Sequence, residues 1–252
     1  MAMDLIKTKS FELAIFSEGN KNSGKLAVLL PGRLDTKDYA NFVSHAEYLA
    51  SRGFFVVALD PPGTWESPGG TDIYTTTNYL KATNELIEYF GSKPTLLLGH
   101  SRGGSVAILA GRSNPSVNGV VLIMANLGAP TAPPSQDVGA GFKISYRDLP
   151  PGTSKTIEQK KFVLPIFYWE DGKRYNPEQA LRECTKPKLL IYGTRDEFTH
   201  PDEIKKIYEE TLAPKMIKEI GSDHDYRYHP EAVEEVNKAV GQFLDNYIVN
   251  QI

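Results

Sequence analysis

What most constrains this chain is a recurrence. Six short, largely apolar runs, Leu26 to Leu30, Phe54 to Leu59, Thr95 to Leu98, Val120 to Met124, Leu189 to Tyr192 and Met216 to Ile220, are mostly separated by stretches with apolar residues at helical spacing. Apolar runs of four to six residues are what strands buried on both faces look like. Their alternation with helices implies an α/β fold: a mostly parallel central sheet flanked by helices on both faces. The last run, broken by Lys218 and Glu219, reads as a sheet edge, and residues 11 to 16 read as an outer, half-exposed strand.

The helices follow from spacing and punctuation. Asp38 to Ser51 places Tyr39, Phe42, Val43, Ala46 and Leu49 on one side and is closed by Gly53. Tyr79 to Phe90 and Pro201 to Leu212 repeat the pattern, and Pro230 starts a last long helix with Val233, Val236, Val240 and Phe243 on its buried side. A chain of 252 residues suits a single α/β domain, 1–252. The rhythm fails only between Asn126 and Pro187, where no convincing strand appears and the aromatics Phe142, Tyr146, Phe162, Phe167, Tyr168 and Trp169 are dense. We read 127–186 as a small lid insertion within that domain, lying over the sheet's edge. Its rings suit either an apolar acyl pocket or the insertion's own packing.

Composition removes several functions. The net charge is −3 with both signs scattered, so no basic stripe exists to neutralise phosphates and no nucleic acid partner is expected. No run approaches the ~18 apolar residues of a membrane span. Residues 1 to 10 carry no apolar leader core, and a cytoplasmic setting is the expectation. The single cysteine, Cys184, precludes a disulfide framework or a cysteine-rich metal site. It ends a helix begun by Asn176 and Pro177, with no glycine-lined turn around it, and is a poor nucleophile candidate.

Chemistry enters with Pro94 to Arg112: an apolar run, then Gly99-His100-Ser101-Arg102-Gly103, then a small-residue helix. The turn fits G-x-S-x-G, whose glycines give room for a sharp strand-to-helix turn that lifts a serine hydroxyl out of the sheet. The helix that follows offers unpaired N–H groups and a positive dipole end to a developing oxyanion. In open α/β sheets ligands bind beyond the carboxyl ends of the strands. Two further ends carry Gly193-Thr194-Arg195-Asp196 and Gly221-Ser222-Asp223-His224, so a serine, an acid and a histidine fall on one rim.

The order Ser101, Asp196, His224 is that of the α/β-hydrolases, and the chain resembles that superfamily over nearly its whole length outside the insertion. The likeness rests on Leu29 to Leu34, on the D-x-x-G-x-x-x-S segment Asp60 to Ser67, on the serine turn, on Leu190 to Asp196, and on Ser222-Asp223-His224 ahead of Pro230. It implies Ser101 as nucleophile, His224 as base and Asp196 as its orienting acid, with the backbone N–H groups of Arg33 and Arg102 as the oxyanion hole. The chemistry agrees: a serine hydroxyl needs a base, imidazole has a suitable pKa, and a fixed carboxylate holds its other nitrogen. The resemblance places the acid at Asp196 rather than Glu197 or Asp202, since Asp196 has the family's spacing from Gly193. His100 is expected behind Ser101, while His45, His200 and His229 read as structural. A metal site from His224, Asp225 and His229 lacks a further ligand, and neither metal nor cofactor is called for.

One departure stands out. The family's first oxyanion loop usually begins His-Gly, and here it begins Pro31-Gly32. The Arg33 N–H does not depend on the side chain before it, but the bracing of the loop does. The guanidinium groups of Arg33 and Arg102 are expected to pair with Asp35 or Asp60; the other reading gives them to an anionic group on the substrate. The function implied is hydrolysis of a carboxylic ester of a small or medium acyl group through an acyl-enzyme. Thioester or amide hydrolysis, carbon–carbon cleavage on the same triad, and a non-catalytic small-molecule receptor are the alternatives.

Overall fold

The computed structural model describes residues 4–128 and 139–248; the expected insertion, 127–186, therefore falls outside the described residues over 129–138. The main sheet has eight strands: β1 (Asp4–Lys7), β2 (Glu12–Glu18), β3 (Leu26–Leu30), β4 (Phe55–Leu59), β5 (Thr95–His100), β6 (Val117–Ile123), β9 (Lys188–Gly193) and β10 (Lys215–Ile220), in the spatial order β1-β2-β4-β3-β5-β6-β9-β10. From β4 to β10 all neighbours are parallel; β2 joins β4, and β1 joins β2, antiparallel. Each of the six apolar runs is a strand, and β10 lies at the edge, as its charges require. The four-residue β1 has an exposed pattern and no apolar run to announce it, and sequence reasoning misses it.

Both faces of the central strands are buried. In β3, Leu26, Val28 and Leu30 pack into one core layer while Ala27 and Leu29 pack into the other. At roughly 1.5–3 kcal/mol for each large apolar side chain taken from water, such a strand is stable only between two layers of helices. Helices α2 (Thr76–Tyr89) and α3 (Arg102–Ser113) cover the first layer with Tyr79, Leu86, Val106 and Ala110. The other layer is covered by α1 (Ala40–Ser51) and the C-terminal helix Pro230–Tyr247, through Phe42, Leu49, Val236 and Phe243. This arrangement makes the site: β3 and β5 are neighbours, yet the chain leaving β3 goes to one face and the chain leaving β5 to the other, so a crevice opens between their carboxyl ends.

The insertion corrects the sequence reading. It contains β7 (Phe142–Asp148) and β8 (Gln159–Pro165), paired antiparallel from Phe142↔Pro165 to Asp148↔Gln159, followed by α4 (Phe167–Gly172) and α5 (Pro177–Glu183). The signal is present: Phe142, Ile144 and Tyr146 alternate with Lys143, Ser145 and Arg147. A search for wholly apolar runs passes over a half-exposed hairpin, whose first strand turns its apolar side outward. Tyr39 donates to the Asp148 carbonyl, Arg147 to the Arg33 carbonyl and Lys160 to the Trp65 carbonyl, which fastens the hairpin across the loops that follow β3 and β4.

Candidate active site

Strand β5 ends at His100 and α3 begins at Arg102, so Ser101 alone reverses the chain. Its backbone sits at φ 52°, ψ −117°, a conformation that costs a non-glycine residue on the order of 1–3 kcal/mol. The surroundings hold it there: the Ser101 N–H donates to the Ile123 carbonyl, and its own carbonyl accepts from Gly104, Ser105 and Asn126. The flanking glycines are needed for close approach. A Cβ on Gly99 would lie 2.3 Å from the Gly103 backbone, and one on Gly103 would lie 1.9 Å from the Leu30 carbonyl oxygen. Gly103 thereby lets the start of α3 press against the end of β3, where Arg33 stands two residues past Pro31.

The three residues expected to work together are together. The Ser101 hydroxyl lies 2.9 Å from His224 Nε2, and His224 Nδ1 lies 3.1 and 3.2 Å from the two Asp196 oxygens. With Nδ1–H donating to the carboxylate, Nε2 accepts from the hydroxyl. Neither the Arg33 nor the Arg102 N–H donates to an acceptor among the described residues, which leaves both for an oxyanion.

A family model described as the alpha/beta hydrolase fold matches residues 27–147. The chain belongs to the α/β-hydrolase superfamily. It is 23% identical over 218 residues to a mitochondrial palmitoyl-protein thioesterase of Mus musculus, covering 81% of this chain and 70% of that protein. It is 26% identical over 205 residues to a 2-hydroxy-6-oxononadienedioate hydrolase of Dechloromonas aromatica, covering 65% and 68%. Among solved structures it superposes on Est1E of Butyrivibrio proteoclasticus, solved with ferulic acid bound, with a TM-score of 0.76 at 19% identity over 97% of this chain and 99% of that one.

The electrostatics of this α/β-hydrolase suit a resting acid–base pair. Burial alone would raise the Asp196 pKa, but the hydrogen bond and charge of His224, with the N–H groups of Phe198 and Thr199, hold it below the usual carboxylate range. Burial would lower that of His224, and Asp196 more than reverses this, leaving it above the ordinary imidazole value. The neighbouring acids do other work. Glu197 accepts from the His224 backbone N–H, Asp202 is exposed, and Asp225 faces Arg227 at 3.5 Å.

The remaining histidines separate by role. His100 approaches Asp35 at 3.4 Å through Nδ1 and donates from Nε2 to the His224 carbonyl, so it braces His224 rather than only packing behind the serine. His45 is fully buried among Tyr226 and Asn237; His200 caps a helix, and His229 meets Asp223 at 3.3 Å. Among the described residues, the carboxylates close enough to share a cation are Asp38, Asp60 and Glu66, and the Lys37 ammonium already stands within 3.4 Å of all three.

The expected pairing of Arg33 and Arg102 with Asp35 or Asp60 does not occur. Asp35 is taken by His100 and by Arg147 at 3.4 Å, and Asp60 by Lys37, Thr36 and the Lys37 N–H. Sequence reasoning overlooks Arg147, Asp148 and Arg227, because Arg227 meets Asp148 across 79 residues of chain and Arg147 meets the Arg33 carbonyl across 114. Nor is the cavity above Ser101, of about 370 Å³, a mainly aromatic pocket. Tyr146, Tyr168, Trp169, Phe198 and Tyr228 line it, but so do Arg33, Arg102, Arg147 and Arg227, while Phe162 packs edge-on against Trp65 away from it.

Proposed function

We propose that this α/β-hydrolase cleaves a carboxylic ester through an acyl-enzyme, with Ser101 as nucleophile, His224 as general base and acid, and Asp196 as the orienting carboxylate. The observation that carries the proposal is the continuous chain of hydrogen bonds from hydroxyl to imidazole to buried carboxylate. Ser101 Oγ bonds to the ester carbonyl carbon while its proton passes to His224 Nε2. The carbonyl electron pair moves onto oxygen, where the N–H groups of Arg33 and Arg102 receive it. Collapse breaks the carbon–oxygen bond of the leaving alcohol, which takes the proton from His224, and the acyl group stays on Ser101. Water then repeats the sequence, its proton going to His224 and back to Ser101 Oγ as the carboxylic acid departs.

Thioester cleavage is the second reading, supported by the likeness to the mouse palmitoyl-protein thioesterase, since the same attack expels a thiolate as readily as an alkoxide. A fluorophosphonate probe tests the nucleophile: it is expected to label the wild-type chain and not Ser101→Ala. A panel of nitrophenyl esters and acyl-coenzyme A thioesters of increasing length then separates the two readings. No labelling, with no turnover of either series, defeats both.

A further inference from the structure

Four arginines line the cavity above Ser101, and they differ in what they hold. Arg147 faces Asp35, and Arg227 donates to Asp148 at 2.9 Å with Asp225 at 3.5 Å, so every carboxylate on the cavity wall already faces one of these two. Arg33 and Arg102 have no carboxylate partner among the described residues. Arg102 is only 7% exposed, and its Nη2 is buried with no hydrogen-bond acceptor. A buried guanidinium N–H left without an acceptor is costly, and such a group persists where something else completes it. The guanidinium carbon of Arg102 lies over the Tyr168 ring, 5.4 Å from its centre, and both residues are on the cavity wall.

We propose that Arg102, assisted by Arg33, is a subsite for a carboxylate carried by the substrate, so that the preferred esters are half-esters of short dicarboxylic acids or esters of acidic alcohols. This rests on the hydrolase reading above and specifies its substrate class. A carboxylate matches the planar fork of a guanidinium. A monoanion is favoured over a phosphate dianion because Asp35, Asp148 and Asp225 share the walls. The spacer is short, because Arg102 directly follows the nucleophile, with adjacent Cα atoms about 3.8 Å apart.

The test compares matched substrates. The 4-nitrophenyl half-ester of adipic acid and 4-nitrophenyl hexanoate differ by one carboxylate on the acyl side; 4-acetoxybenzoate and phenyl acetate differ by one on the alcohol side. In Arg102→Met the acidic-to-neutral ratio of kcat/KM is expected to fall at least tenfold for one pair, and severalfold in Arg33→Met. The ratio is read because the backbone of both residues also serves the oxyanion and neutral turnover changes with them. Ratios that stay within twofold for both pairs overturn the subsite while leaving the hydrolase reading intact. Should Arg102→Met not fold, Arg33→Met and inhibition of the wild-type enzyme by free adipate, but not by its uncharged diamide, decide the matter. Should no ester be turned over, calorimetric titration of adipate into wild type and Arg33→Met still reads the subsite: weaker binding to the variant supports it, and equal binding or none removes it.

Discussion

On one wall of the cavity the polar groups stand one to four residues beyond strand ends. Ser101 follows β5, Asp196 follows β9 and His224 follows β10, and their hydrogen bonds close a compact loop of neighbours. On the other wall Arg147 and Asp148 of the β7–β8 hairpin are held by partners far along the chain: Asp148 by Arg227, and Arg147 by Asp35 and the Arg33 carbonyl. The first wall is set by the register of a parallel sheet, which cannot slip without exposing its core. The second is held by side-chain contacts across the chain. Chemistry and substrate shape are therefore separable here, and changes on the two walls should fail in different ways.

The largest effect belongs to the first wall. Ser101→Ala is expected to fold with stability close to that of the wild type, because alanine bears the same positive φ, while kcat falls by about a million-fold if the three residues act as a unit. Steady-state kinetics with a thermal melt measure both, and a variant that keeps a tenth of the activity removes Ser101 from its role. Next comes Asp196→Asn, for which kcat should drop by on the order of 10⁴. The same change should move the acid limb of kcat/KM to lower pH, because Asp196 is what raises the His224 pKa. In the wild type, activity is lost as pH falls through that raised value, since protonated His224 cannot accept the serine proton. An acid limb in Asp196→Asn at or above the wild-type position would contradict the assignment.

The second wall should break the other way. Arg227 and Asp148 have side chains about 5% and 4% exposed, and removing one partner leaves the other buried and unpaired, so Arg227→Met is expected to cost about 3–5 kcal/mol. Asp148 is held well below the usual carboxylate range despite the opposing effect of burial, chiefly by hydrogen bonds from Tyr228, Gln159, Thr156 and Arg227. A depressed folded pKa means stability present at neutral pH and lost as pH falls below the unfolded carboxylate value of 3.8. Urea unfolding of Arg227→Met and wild type reads the loss; the variant that remains folded should still react with a fluorophosphonate. Loss of labelling in a folded variant would show that the walls are not separable.

The two walls also differ in how far the sequence disclosed them. Strands such as Leu26–Leu30 and Thr95–His100 announce themselves because burial on both faces demands unbroken apolar runs, and the loops after them must then share one rim. Ser101, Asp196 and His224 follow from that logic together with the family order. Strand β7 turns its apolar side outward and β8 buries only Phe162 and Leu164, so no apolar run marks the hairpin. Which arginine meets which aspartate depends on how that hairpin docks. Local spacing carries no record of it, and the pairing of Arg33 and Arg102 with Asp35 or Asp60, expected from their shared place on the rim, accordingly fails.

The smallest predicted effect concerns what steadies the first wall from behind. Asn41 donates to the Tyr226 hydroxyl, which in turn donates to His45 Nε2; His45 Nδ1–H donates to Asn237, and Asn237 to Ser44. This uncharged relay ties the turn that follows His224 to α1, and it requires a neutral imidazole. Burial pushes the His45 pKa down to about 4, while the unfolded chain binds the proton near the ordinary 6.5. Stability from this site is therefore present above 6.5 and declines as pH falls from 6.5 toward 4, by about 2 kcal/mol at pH 5. His45→Gln, which keeps a donor and an acceptor without titrating, should flatten that part of the stability curve relative to wild type. His224, whose folded pKa is raised, works in the opposite direction, adding stability below 6.5 that is lost as pH rises, and is common to both proteins. Denaturant unfolding at pH 7 and pH 5 isolates the difference between the two chains. Parallel curves would mean that the turn bearing His224 is anchored by packing of Tyr226 alone.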